Sequence, residues 1–187
     1  MLVTETSIRE QIVETASRLF YNQGYNLTGI NQIIEEAGIA KASLYYHFPS
    51  KEDLCVEYLK RRYDIWSAAL NKGIAGITDP KECILKAFSC RSNYLSETNY
   101  GGCSYIRIIS EMPRRGEKIN RQVILQKEKQ RQVFVEMVQR LKGRNHPSVN
   151  DLADTLFLLF DGATVQCQIY RAIWPMEKAI LALKNLL

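Results

Sequence analysis

The sequence predicts an all-α protein. No segment alternates apolar and polar residues for long enough to mark a strand, apolar residues recur at three- and four-residue spacing, and nearly every break carries helix-capping residues. At 187 residues the chain can bury one large core or two small ones. The pattern divides into a small module at 1–50 and a larger helical body at 51–187.

The first helix opens with Ser7 and Glu10 in the S-x-x-E arrangement of a capping box, carries Ile8, Ile12, Ala16, Leu19 and Phe20 on one face, and stops at Gly24. Thr28 is the expected cap of a short second helix with Ile30, Ile33, Ile34 and Ala37 inward. Gly38 can take positive φ and makes the turn into a third helix, from about Ala40 to His47, which Pro49 ends. Ser50 and Asp53 form another capping box, heading a long helix through Leu54, Tyr58, Leu59, Tyr63, Trp66 and Leu70 to Gly73.

Further along, Asp79 is the cap and Pro80 the first position of a helix presenting Ile84, Phe88, Arg91 and Leu95. "TNYGGCS" at 98–104 is read as a loop and "YIRIISEM" as a short helix stopped by Pro113. A charged helix then runs from about Glu117 to Lys142 and buries Ile119, Val123, Phe134, Met137, Val138 and Leu141, with "KEKQRQ" at 127–132 read as a solvated face. "GRNHP" breaks it. Ser148 and Asp151 cap an unusually apolar helix, and Pro175 with Glu177 starts a last one with Ile180, Leu183, Leu186 and Leu187 on one side. Two apolar helices behind a sufficient core exceed one monomer's needs. They predict a homodimer through residues of about 149–187.

Composition narrows the function classes. There is no run of about 18 apolar residues and no signal-peptide layout, so a soluble, cytoplasmic protein without membrane attachment is expected. The five cysteines, Cys55, Cys83, Cys90, Cys103 and Cys167, form no C-x-x-C pair and no zinc spacing with His47 or His146; no metal or cofactor is expected, and the thiols read as mostly buried. A redox switch between Cys90 and Cys103 is the sharper alternative. The net charge of +5 is unevenly spread: residues 1–60 hold five Lys+Arg against eight Asp+Glu, a net of −3. Bulk charge therefore does not mark the opening module as a nucleic-acid contact, and local geometry must.

That geometry is present. Two short helices across a glycine turn, braced by an amphipathic helix, are the layout of a helix-turn-helix whose second helix enters the DNA major groove. In "SLYYHF", 43–48, Leu44 and Phe48 suit the face toward the bundle, leaving the other face for DNA. Lys41 can reach guanine acceptors or phosphate, and Ser43 beside Ala42 can donate to a base edge. Tyr45 and Tyr46 combine a ring that packs on thymine methyls with a hydroxyl that reaches phosphate. His47 and Lys51 add phosphate contacts, Lys51 at a helix N-terminus whose amides also favour an anion, and Thr28 is expected on the other side of the groove. No nucleophile, second carboxylate or glycine-rich loop accompanies the tyrosines and histidine, so an enzyme is not expected.

The segment "TGINQIIEEAGIAKASLYYHFPSKEDL", residues 28–54, closely resembles the DNA-binding signature of TetR-type transcriptional regulators, through the skeleton "AG-x-x-K-x-S-L-Y-x-HF-x-SKE-x-L". Gly29 stands where many members carry threonine or serine, and Glu35 with Glu36 should face away from DNA. "GGCSYIRIISEMP" also looks like a pattern of one branch, a glycine-cysteine turn leading into a pocket-side helix. The resemblance implies a homodimeric regulator, a repressor released from a palindromic DNA operator by a small-molecule effector bound in the C-terminal domain. The long helix from Ser50 to Gly73 would act as the lever. Phe88, Tyr94, Cys103, Tyr105, Phe134, Met137 and Phe157 could form the effector pocket's walls, and Arg91, Arg107 and Asp161 could orient the ligand's polar end. Arg107 and Glu111, four apart, suit a plain ion pair with each other. The alternative is a dimeric helical ligand-binding protein or enzyme with a vestigial helix-turn-helix.

Overall fold

The computed structural model describes residues 7–112, 117–143 and 145–187. Among them are nine helices and no strand: α1 Ile8–Asn22, α2 Ile30–Ala37, α3 Lys41–His47, α4 Lys51–Ile74, α5 Pro80–Glu97, α6 Ser104–Glu111, α7 Glu117–Lys142, α8 Val149–Tyr170 and α9 Trp174–Leu186. The all-α class is as the sequence predicts. Pro113, the expected stop of α6, lies outside the described residues.

Two compact units emerge. The first joins Met1–Tyr63, from Ser7 onward in the described part, to Ser104–Ile124; the second joins Asp64–Cys103 to Leu125–Leu187. The long helices α4 and α7 each contribute one stretch to either unit.

In the first unit the apolar stripe of α1 meets α2 and α3 over Ile12, Ala16, Leu19 and Phe20 from α1, Ile33 and Ala37 from α2, and Leu44 from α3, all buried. Phe20 lies 5.5 Å from the Tyr25 ring and 5.6 Å from Tyr58 of α4, extending this core. The caps follow the sequence at Ser7, whose hydroxyl accepts from the Glu10 amide, and at Ser50, which accepts from the Asp53 amide and donates to its carboxylate.

Two expected caps are corrected. The N-cap of α2 is Gly29, not Thr28, because the Thr28 hydroxyl turns inward and donates to the Gly24 carbonyl at 2.6 Å. At α8 the Ser148 side chain makes no cap bond and pairs with His146 Nδ1 at 2.8 Å.

The second unit packs α5, the later part of α7, α8 and α9 around one apolar core. Its centre is a set of three rings, Phe88, Phe134 and Phe160, with centroids 5.3–6.1 Å apart. Asp79 accepts from the Lys81 amide and Pro80 opens α5, as expected. The 127–132 stretch is exposed at Glu128, Lys129 and Gln132, as a solvated face would be, but not at its other three positions. Lys127 pairs with Asp161, Arg131 with Asp154, and Gln130 is buried, because α8 lies along this face of α7. The five cysteines are free thiols, four buried and Cys90 half-buried. Burial pushes the Cys55 thiol up to about 12.

Candidate nucleic-acid interface

The candidate interface starts from the turn between α2 and α3. Gly38 adopts φ +63 and ψ 35, and the amides of Gly38 and Ile39 return to the last carbonyls of α2, with Ile39 N bonded to Ile34 O at 3.2 Å. This turn aims α3 across the bundle, where Leu44 (0% exposed) and Phe48 (4%) lock one face. Period 3.6 then leaves Lys41, Ala42, Tyr45 and Tyr46 on the opposite side, all exposed. Tyr46 is 85% exposed, an unusual position for an aromatic ring that serves only the fold. Its ring meets that of His47 edge-on at 5.0 Å. Ser43 and His47 are half-buried at the margins of this face.

Lys51, in the first turn of α4, stands with its ammonium 4.2 Å from the Tyr25 ring centroid; burial holds its pKa below the ordinary lysine value. Burial likewise raises the Tyr25 phenol to about 12, so it stays a neutral partner. The remaining member of the predicted set, Thr28, does not stand on the surface. It is 0% exposed and holds the α1–α2 turn through Gly24, because its hydroxyl finds a carbonyl one helical turn back.

The acidic residues near the turn are exposed, and Glu36 is drawn back onto α1. Arg18 bonds it at 2.5 Å and Gln32 at 2.9 Å, and these bonds hold its carboxyl below the usual range. Gly29 has extended backbone with open space where a side chain would project.

Helix α6 grips this module, a role that sequence reasoning missed. Arg107 donates to the Tyr21 carbonyl at 2.6 Å, the Asn26 amide donates to the Glu111 carboxylate at 2.9 Å, and the Asn26 side chain donates to the Glu111 carbonyl. The expected Arg107–Glu111 ion pair is therefore not made: each partner is taken by the α1–α2 segment. Gly24, at φ +95, belongs to the same clasp, since a Cβ there would stand 2.6 Å from Glu111 Oε1. Arg107 is thus occupied within the first unit. So is Tyr105, buried, with its hydroxyl 3.4 Å from the Leu59 carbonyl.

The other predicted ligand residues fall in the second unit. Phe88, Phe134 and Met137 are core, Phe157 packs 6.2 Å from Phe134, and Cys103 is buried in the loop before α6. Asp161 is held by Lys127, whose ammonium lies 2.5 and 2.7 Å from its oxygens. Arg91 is buried on α5 beside Tyr94 and donates to Thr164 Oγ1 at 3.2 Å. Among the described residues no cluster of three or more metal-ligating side chains occurs, and no helix is long and apolar enough to cross a membrane.

Residues 12–58 match the family described as bacterial regulatory proteins, tetR family. The chain is 45% identical over 87 residues to the HTH-type transcriptional regulator LmrA of Bacillus subtilis, a match spanning 44% of this chain and 46% of that relative, so less than half of LmrA is covered. It is 25% identical over 193 residues to the HTH-type transcriptional repressor NemR of Escherichia coli, covering 98% of this chain and 96% of NemR. The fold is shared with the reduced form of E. coli NemR, at TM-score 0.83 and 22% identity over 96% of both chains. It is shared also with a TetR-family transcriptional regulator from Streptomyces coelicolor, at TM-score 0.84 and 20% identity over 95% of this chain and 93% of that one. Residues 12–58 thus match a tetR-family regulatory domain, on a helical frame whose fold is shared with these solved regulators.

Proposed function

We propose that the protein is a homodimeric, sequence-specific DNA-binding transcriptional regulator. It acts as a repressor, leaving a palindromic operator when a small molecule binds the second unit. The observation that carries this reading is α3: a helix locked by Leu44 and Phe48 whose outer face offers Lys41, Ala42, Tyr45 and the 85% exposed Tyr46. Ser43, His47 and Lys51 flank that face and supply hydroxyl and cationic donors for phosphate. Thr28 acts from beneath, holding the turn that sets the height of α2. The likeness to LmrA, which spans this module, supports the DNA-binding role; the likeness to NemR, named as a repressor, supports the sign of regulation.

Dimerisation is read from the second unit. Leu158, Gly162, Gln166 and Tyr170 recur every four residues along α8 and, with Trp174 and Ala182 of α9, line an open groove of about 410 Å³. Leu158 is 68% exposed and Tyr170 57%, an apolar stripe that a second copy would cover. Two α3 helices related by a two-fold axis then meet successive major grooves about 34–36 Å apart. Effector binding shifts the population toward a form whose α3 helices no longer match that spacing, and about 1–3 kcal/mol of coupling weakens operator binding roughly 5- to 150-fold.

The test is selection of bound sequences from a random duplex pool by wild type and by a Tyr46→Ala, Lys51→Ala double variant. Wild type is expected to recover a palindromic motif that the variant loses. Wild-type affinity should also fall with salt at a log–log slope of about −0.9 per neutralised phosphate. No enriched motif from a folded dimer at low salt overturns the reading in favour of a vestigial helix-turn-helix.

A further inference from the structure

The core of the second unit contains a polar layer that its own side chains leave incomplete. The rings of Phe88 (α5), Phe134 (α7) and Phe160 (α8) fix a common level. Helix α5 runs parallel to α8, since Phe88 meets Phe160 and Arg91 meets Thr164. Helix α7 runs antiparallel to α8, since Lys127 meets Asp161 and Arg131 meets Asp154. Arg91 lies three residues after Phe88, Thr164 four after Phe160, and Gln130 four before Phe134. Arg91 and Thr164 therefore stand about one turn, roughly 5 Å, beyond the Phe88 and Phe160 rings, and Gln130 is displaced from Phe134 by one turn in the same direction. Gln126 comes one turn further on the same face of α7.

The chemistry of this layer does not close. Arg91 is 9% exposed; its guanidinium bonds Thr164 Oγ1 and faces the Tyr94 and Phe160 rings at 5.5 and 5.6 Å, and it joins no ion pair among the described residues. Gln126 is 2% exposed and Gln130 is 3%, and the Oε1 atom of each is buried without a hydrogen-bond partner. A buried cation lacking a counter-charge is costly in the apolar interior, and so are two unmatched amide oxygens in the same core. Water can satisfy the amides, but it cannot neutralise the guanidinium.

We infer that this layer is a binding site for a small organic acid: its carboxylate pairs with Arg91, its hydrogen-bond donor meets Gln130 and Gln126, and its apolar body packs on the phenylalanine rings. The paired charge and the matched amides supply the affinity, and the rings exclude water around them. The inference deepens the effector role proposed above, but binding itself needs no DNA.

The experiment measures binding to the full-length protein by calorimetry and thermal shift, with 4-hydroxybenzoate, benzoate, hexanoate and methyl 4-hydroxybenzoate as probes. Wild type, Arg91→Met and Gln130→Leu are compared. Wild type is expected to bind the hydroxy acid best, the two plain acids less well and the neutral ester not at all. Arg91→Met is expected to weaken the acids about tenfold or more, and Gln130→Leu to reduce chiefly the preference for the hydroxyl. Without ligand, Arg91→Met should melt no lower than wild type, since it removes an uncompensated buried charge. The proposal is overturned if none of the three acids binds wild type, if binding persists undiminished in Arg91→Met, or if the ester binds as well as the acid. Acid binding through Arg91 by a protein that selects no DNA motif would sink the regulator reading alone. Motif selection without acid binding would sink this one alone.

Discussion

Gly38 shows how one residue sets the reading helix. Its φ of +63 lies in the left-handed region, and open space surrounds the position where a Cβ would stand, so a substitution there meets backbone strain and no clash. Gly38→Ala is expected to lower unfolding free energy by about 1–2 kcal/mol, measured by denaturant titration, with Gly38→Asn losing less because asparagine tolerates this conformation. An alanine variant as stable as wild type would mean that the turn adopts another geometry. This glycine was legible in the sequence because few residues can make such a turn. Thr28 and Gly29 were not separable in the same way: both types cap helices, and the choice fell to Gly29 only because the Gly24 carbonyl captures the threonine hydroxyl.

At the scale of the element, the head of α4 joins the capping box to a distant cation. Asp53 accepts from Lys118 at 2.6 Å and from the Ser50 hydroxyl, and these bonds hold its carboxyl below the ordinary value of 3.8. A carboxylate with a lowered folded-state pKa contributes stability that is complete above its unfolded value and disappears as pH falls through the folded one. Asp53→Asn should therefore narrow its deficit against wild type as pH drops below about 3.8, and denaturation midpoints at pH 5 and at pH 2–3 check this. A deficit that stays constant would remove the charge from the explanation. The spacing Ser50-x-x-Asp53 announced the cap, but Lys118 is 65 residues away, and nothing local could connect them. Helix α6 repeats the lesson: Arg107 and Glu111 have ideal spacing for each other, yet each is engaged by the α1–α2 segment.

For the whole molecule the decisive question is what covers the α8–α9 stripe. Leu158→Glu with Trp174→Glu puts two charges where the proposed second copy packs, and the double variant is expected to run as a monomer by light scattering while keeping its helical circular dichroism. Its affinity for a palindromic operator should fall by more than about tenfold, because one α3 helix loses the contacts of its twin. A variant that remains dimeric would place the interface elsewhere.

The sequence by itself determined the all-α class, the order of the helices and the glycine turn, because caps, periodicity and positive-φ positions are local properties of the chain. Only the tertiary structure decided where Gln126, Gln130 and Arg91 belong. Polar side chains on a highly charged helix default to water. It is the phenylalanine layer shared with α5 and α8 that turns the glutamine stripe of α7 inward, into the core that also buries Arg91. A hydrophobic pattern reports which face a helix hides, whereas the meaning of a polar residue on that face depends on what the neighbouring helices bring to it.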